Sequence, residues 1–143
     1  MTALVVDDSA IMRKMVMRSL TEAGVAEFTY VEAVDGQDAL DKFDPETIEI
    51  LFVDWNMPNM NGLEFVKKVR ETIDYHVPTV MVTTESTMGK VEEAMDEAGV
   101  DTFICKPFTT DVLKKKLGPL FEKLEDDGKS GEMFFGSLAK KFA

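Results

Sequence analysis

Basic residues are scarce in this chain: 16 Lys and Arg stand against 27 Asp and Glu, a formal net charge of −11. A general nucleic-acid surface needs the opposite balance, because phosphate neutralisation takes Lys and Arg in excess. A local basic or apolar patch for one protein partner remains compatible with that charge. Cysteine is scarcer still, with Cys105 alone, so no internal disulfide can form and a reducing, cytoplasmic setting is expected. Long apolar runs are missing as well. None approaches the roughly 20 residues of a membrane span, and no signal-peptide pattern precedes the first apolar segment. What is left is 143 residues, 45% hydrophobic and 30% charged, the make-up of one soluble globular domain with a proper core.

The chain is organised around Leu51-Phe52-Val53-Asp54-Trp55-Asn56-Met57-Pro58. Apolar, β-favouring residues run straight into a carboxylate and a Pro then ends regular structure, so a buried strand delivers Asp54 to the rim of a sheet. Ala3–Val6 and Thr79–Val82 are similar two-face-buried runs, ending in Asp7-Asp8-Ser9 and Thr83-Thr84-Glu85. Phe28–Ala33, with Thr29 and Glu32, and Asp101–Cys105, closed by Lys106-Pro107, are more polar and read as edge strands.

Helical periods lie between these runs. Ser9 is placed to cap a helix with Met12, Val16, Leu20 and Ala23 on one face and Arg13, Lys14 and Arg18 turned away, stopped by Gly24. A short helix over Gly36–Phe43 follows. Leu63, Val66 and Val69 mark another, with Lys67, Lys68 and Arg70 outside. Val91, Ala94, Met95 and Ala98 mark a fourth, whose Glu92, Glu93, Asp96 and Glu97 face solvent. The last starts near Thr109 with Val112, Leu113, Leu117, Leu120 and Leu124 as its inner stripe, and Gly118-Pro119 predicts a kink or an early break. Five strand–helix units require parallel strands with helices on both faces. The fold class is α/β, a flavodoxin-like doubly wound five-stranded parallel sheet of order 2-1-3-4-5 with a C-terminal extension. Ligands bind such sheets at the carboxyl ends of the strands, where Asp7, Asp8, Asp54, Thr83 and Lys106 all fall.

Singly, each of these residues could cap a turn or a helix; Asp54 could equally be a metal ligand or a nucleophile. Together they are more specific. Carboxylates brought this close repel one another unless a cation is present or their pKa values rise. Hard oxygen ligands suit Mg²⁺. A lysine, a hydroxyl and a carboxylate nucleophile then meet the needs of phosphoryl transfer, with Asp54 as the best nucleophile candidate.

Asp7-Asp8-Ser9, Asp54-Trp55-Asn56-Met57-Pro58-Asn59-Met60-Asn61-Gly62, Val82-Thr83-Thr84-Glu85 and Lys106-Pro107-Phe108 resemble the receiver domain of two-component response regulators. The Asp-Trp-Asn-Met-Pro stretch resembles its chemotaxis branch, the CheY type. The resemblance covers residues 1–124 and implies that Asp54 accepts a phosphoryl group from a sensor histidine kinase. It further implies Mg²⁺ on Asp8, Asp54 and the Asn56 carbonyl, with Asp7 acting through water. Thr83, Thr84 and Lys106 would bind the phosphoryl group, and the Lys106–Pro107 bond would be cis. Thr83 and Phe103 would form the switch, Phe103 standing where the chemotaxis proteins usually carry Tyr. Asn56, Thr84 and Glu85 would tune self-dephosphorylation, and the bulk of Thr84 predicts that it is present but not fast. The implied output is binding to a flagellar motor switch protein, with a phosphatase as a further partner. A phosphorelay intermediate or phosphate sink is the alternative. A phosphohydrolase is disfavoured, because Asn56 stands where such an enzyme needs a second Asp; the protein is expected to be a phosphoacceptor rather than an enzyme.

Beyond the receiver, residues 125–131 have linker composition. Residues 132–143 then carry Phe134, Phe135, Leu138 and Phe142 in helical spacing beside Lys140 and Lys141. This short amphipathic helix, too short to stand alone in water, is expected to dock in a groove on its own receiver or on a neighbouring molecule, as in a dimer. If it covers the Phe103 face, it would compete with partners and phosphorylation could control its release.

Overall fold

Alternating strands and helices build a single five-stranded parallel sheet in the computed structural model, which describes residues 1–84 and 88–131. In chain order the elements are β1 (Thr2–Val6), α1 (Ala10–Ala23), β2 (Thr29–Ala33), α2 (Gly36–Lys42), β3 (Ile50–Asp54) and α3 (Gly62–Thr72). They continue with β4 (Thr79–Thr84), α4 (Met88–Ala98), β5 (Thr102–Lys106) and α5 (Thr110–Gly131). The order across the sheet is β2-β1-β3-β4-β5. Every residue of β3 is buried, whereas β2 and β5 are largely half-exposed, so the apolar runs occupy the centre and the more polar ones the edges, as expected.

Strand alternation splits the core in two. Leu4, Val6, Leu51, Val53 and Met81 face the side on which Phe65, Val66 and Val69 of α3 and Ala98 of α4 pack. Val5, Phe52, Val80 and Ile104 face the opposite side, against Val16 and Leu20 of α1 and Leu113 and Leu117 of α5. The turn chemistry follows the sequence closely. The Ser9 hydroxyl accepts the Met12 N–H at 3.2 Å to cap α1, and Gly24 stops that helix with φ 66°. Thr109 caps α5 in the same way, accepting from Val112 N. No described helix is long and apolar enough to cross a membrane.

Four expectations need correction. Arg13 is not turned out to solvent: its side chain is only 12% exposed and hydrogen-bonds within the fold. Arg70 is half-buried rather than outside, and donates to the carbonyls of Val77, Ala98 and Gly99 and to Oγ1 of Thr79. Both break the amphipathic rule because a guanidinium can satisfy several carbonyls at once, which offsets its desolvation. Val112, placed in the inner stripe of α5, is instead 43% exposed. Finally, of the kink or early break expected at Gly118-Pro119, the break does not occur: α5 runs on to Gly131, through the segment read as linker. Pro119 lies on the exposed face, where the carbonyl it frees can turn to solvent, while Leu113, Leu117 and Leu120 hold the helix to the core. Phe134, Phe135, Leu138 and Phe142 of the expected tail helix, and Glu85, lie outside the described residues.

Candidate functional site

Three strand ends converge at the carboxyl edge of the sheet. β1 leads into Asp7, whose N–H still donates to Ala33 O at 3.2 Å and so holds the chain in the line of the sheet for one more residue. Its carboxylate is turned back by Ser9 N, which donates to Oδ1 at 2.9 Å. Asp7 is buried, while its neighbour Asp8 is exposed. β3 ends in Asp54, buried at 5% exposure and paired in register with Val82 of β4. β5 ends in Lys106, opposite Thr84. The Lys106–Pro107 bond is cis, as expected.

These ends meet. Lys106 Nζ donates to Asp54 Oδ1 at 3.0 Å and to Asp7 Oδ2 at 3.2 Å. Asp7, Asp8 and Asp54 each bring a carboxylate oxygen within 4.8 Å of the others. Burial raises the pKa of Asp54, with the charge of Asp7 adding to the effect; hydrogen bonds from Lys106 and from the Asn56 N–H pull against it without cancelling it. At Lys106 burial works against the charged form, but the hydrogen bond and charge of Asp54, reinforced by Asp7, outweigh it and raise its pKa. The site is therefore a cluster of anions that one lysine only partly neutralises. It suits a hard cation, and one of its carboxylates, Asp54, is held at the mouth of the central strand.

The loop after β3 is shaped to leave that carboxylate in place. Gly62 opens α3, and its N–H donates to Trp55 O at 2.9 Å. A Cβ there would run into the carbonyl oxygen of Asp54 and lie 3.1 Å from Trp55 Cα, so only glycine lets the helix start this close beneath the loop. Asn61 and Glu64 then lock the start of α3 with a reciprocal capping box. Asn56 is exposed on the rim, Thr83 is fully buried in β4 and Thr84 is half-buried. Phe103 is half-buried near the middle of β5, with Lys116 Nζ 4.5 Å from its ring centroid, so it lies back from the carboxylates.

Sequence reasoning missed Arg13. Its Nη1 donates to the Asp7 carbonyl at 2.7 Å and its Nε to Glu32 at 2.9 Å, tying the β1–α1 turn to the edge strand. The available signal was its place one helical turn after Asp8-Ser9, where a long side chain can lie back over the preceding turn.

The likenesses to known proteins agree with this geometry. The family model described as "Response regulator receiver domain" matches residues 3–118. A chemotaxis protein CheY homolog of Campylobacter jejuni is 47% identical over 119 residues, 82% of this chain and 89% of that protein. CheY1 of Helicobacter pylori is 44% identical over 82% of this chain and 94% of its own length. The solved structure of chemotaxis protein CheY4 of Vibrio cholerae superposes with a TM-score of 0.71 at 36% identity, covering 82% of this chain and 96% of that one. With its sheet order, its acidic strand ends and these relatives, the chain belongs to the receiver-domain family of response regulators and is CheY-like.

Proposed function

We propose that this protein is a single-domain response regulator of two-component signalling, in which phosphorylation of Asp54 switches binding to a protein partner. The observation that carries this reading is the constellation at the sheet edge: a buried Asp54 with Lys106 at 3.0 Å and the oxygens of Asp7 and Asp8 within 4.8 Å. The three carboxylates are hard oxygen donors, the ligand type Mg²⁺ takes, so the cluster suits that ion. Asp8, Asp54 and the Asn56 carbonyl would hold it, with Asp7 acting through water. Bound there, it would neutralise charge spreading over the phosphoryl oxygens.

In the proposed reaction an Asp54 oxygen attacks the phosphorus of a phosphohistidine on a sensor kinase. The O–P bond forms as the N–P bond breaks, and the imidazole leaves and takes up a proton from solvent. Lys106 exchanges its contact with Asp54 for one with a phosphoryl oxygen, and the Thr83 hydroxyl donates to another. Thr83 moves toward the phosphoryl group and Phe103 turns into the space it leaves. Asn56, Thr84 and Glu85 tune self-dephosphorylation, which the bulk of Thr84 keeps from being fast; a phosphatase would then end the signal. The CheY-like character supports chemotaxis as the setting, in the cytoplasm, with a flagellar motor switch protein as the output partner.

Trp55, the only tryptophan, is buried next to Asp54 and serves as a probe of this site. Titration with Mg²⁺ is expected to change its fluorescence saturably, and Asp8→Asn is expected to weaken that response. Phosphorylation is expected to raise the affinity for a motor-switch peptide. Transfer of the phosphoryl group to a second histidine, with unchanged peptide affinity, would instead identify a relay protein.

A further inference from the structure

The chain carries more sequence than its relatives. Chemotaxis proteins matched over 89% to 98% of their own lengths cover only 82% to 87% of this chain, and the family match ends at residue 118. Residues 132–143 place Phe134, Leu138 and Phe142 in one helical stripe, with Lys140 and Lys141 as the segment's basic residues. A helix of about three turns is marginal alone in water and needs a surface.

A groove of ≈470 Å³ opens between the end of α1 and the start of β2, lined by Thr21, Gly24, Ala26, Glu27 and Phe28. Phe28 is half-buried there, stacked on Tyr30 and edge-on to Phe52 and Phe121, with centroids 5.6, 6.2 and 6.0 Å away. The exposed carboxylates of Glu22 and Glu27 give its rim a net negative charge, which the Met1 ammonium, 2.7 Å from the Glu27 carbonyl oxygen, only partly offsets.

Phe121 brings α5 against Phe28, which forms one wall of this groove. From Phe121 to Gly131 the helix climbs about 15 Å. A turn over 132–133 followed by a helix from Phe134 to Phe142 would return about 12 Å. That would bring Phe142 to within a turn of Phe121, beside Phe28, with Lys140 and Lys141 toward the acidic rim. A helix of that length would end short of the Phe103 face. Its covering residue Lys116 lies about 22 Å of helix before Gly131.

We infer that residues 134–142 fold back along α5 as a short antiparallel helix that seats Phe142 in the Phe28 groove of the same chain. The Phe103 face stays open.

Amide NMR spectra of the full chain and of the full-length Leu138→Ser/Phe142→Ser variant test the inference. Shifts are expected to change at Thr21, Gly24, Ala26 and Phe28, equally at low and high protein concentration. Lys140→Glu/Lys141→Glu is expected to give the same pattern at smaller amplitude. Unchanged groove resonances, changes centred on Phe103, Val112 and Lys116, or changes that grow with protein concentration as a second copy's tail would produce, would each overturn it.

Discussion

Lys106 Nζ lies 3.0 Å from Oδ1 of Asp54, joining the ends of β5 and β3 at the mouth of the sheet. This contact, with the one to Asp7, makes Lys106 the counter-ion of two nearly buried carboxylates. Removing one partner of such a cluster leaves charge buried and uncompensated. Lys106→Met is therefore expected to destabilise the protein by roughly 3 kcal/mol at pH 7, the low end of what breaking a buried pair costs, because the lysine side chain is 16% exposed. Urea unfolding checks this, and adding Asp54→Asn should restore part of the loss. Because the pKa of Lys106 is raised, the stability it contributes is fully present at neutral pH and is lost only as pH rises through its folded-state value.

Asp54 obeys the opposite economy. Its raised pKa means that folding favours the neutral carboxyl, so its contribution is full only below the unfolded value of about 4 and falls as pH rises through the folded-state value. Asp54→Asn, a neutral near-isostere, is expected to raise the melting temperature at pH 7 without added metal, and to show no gain at pH 3. Thermal unfolding at the two pH values measures this.

Arg13 supports the site through the backbone of Asp7 rather than through its carboxylate. Arg13→Ala is expected to cost about 1–2 kcal/mol, as loss of charge-assisted hydrogen bonds does. It should also weaken the Mg²⁺ response of Trp55, since the Asp7-Asp8 turn loses its tie to Glu32. Arg13→Lys, which cannot bond both partners with one fork, is expected to fall between the two.

At the opposite edge of the sheet, Asp101 accepts from Thr79 N and lies 2.8 Å from His76 Nε2. Burial raises its pKa, but the hydrogen bonds from His76 and Thr79 outweigh that and lower it. A lowered carboxylate pKa contributes stability that is present above the unfolded value of about 4 and disappears as pH falls through the folded-state value. Asp101→Asn should thus flatten the acid limb of the stability curve, measured as urea midpoints from pH 6 down to pH 3, and leave the neutral-pH response of Trp55 unchanged.

Much of the architecture was legible in the residues. Runs such as Leu51–Val53 and Val80–Val82 can be stable only with both faces covered, which places them centrally, and Thr29 and Glu32 belong only on an edge. Ser9 and Gly24 mark where α1 starts and stops because their chemistry is local. The gathering of Asp7, Asp8, Asp54 and Lys106 followed from the topology, since parallel strands bring their carboxyl ends to one side. Arg13 and Arg70 were not legible: periodicity sorts by charge, whereas their guanidinium groups are held by carbonyls from other elements. Nor was the exposure of Val112, which depends on how α5 rolls against β5. The continuity of α5 through Pro119 depends on packing that a local rule does not see.

The measurement that reaches the centre of the account is intact-mass analysis of the full chain after incubation with a small phosphodonor, with and without Mg²⁺, beside the Asp54→Asn variant. The account predicts one labile phosphoryl adduct that requires Mg²⁺ and vanishes in the variant. A folded wild-type chain that takes up no phosphoryl group, or an adduct that persists in Asp54→Asn, would contradict it.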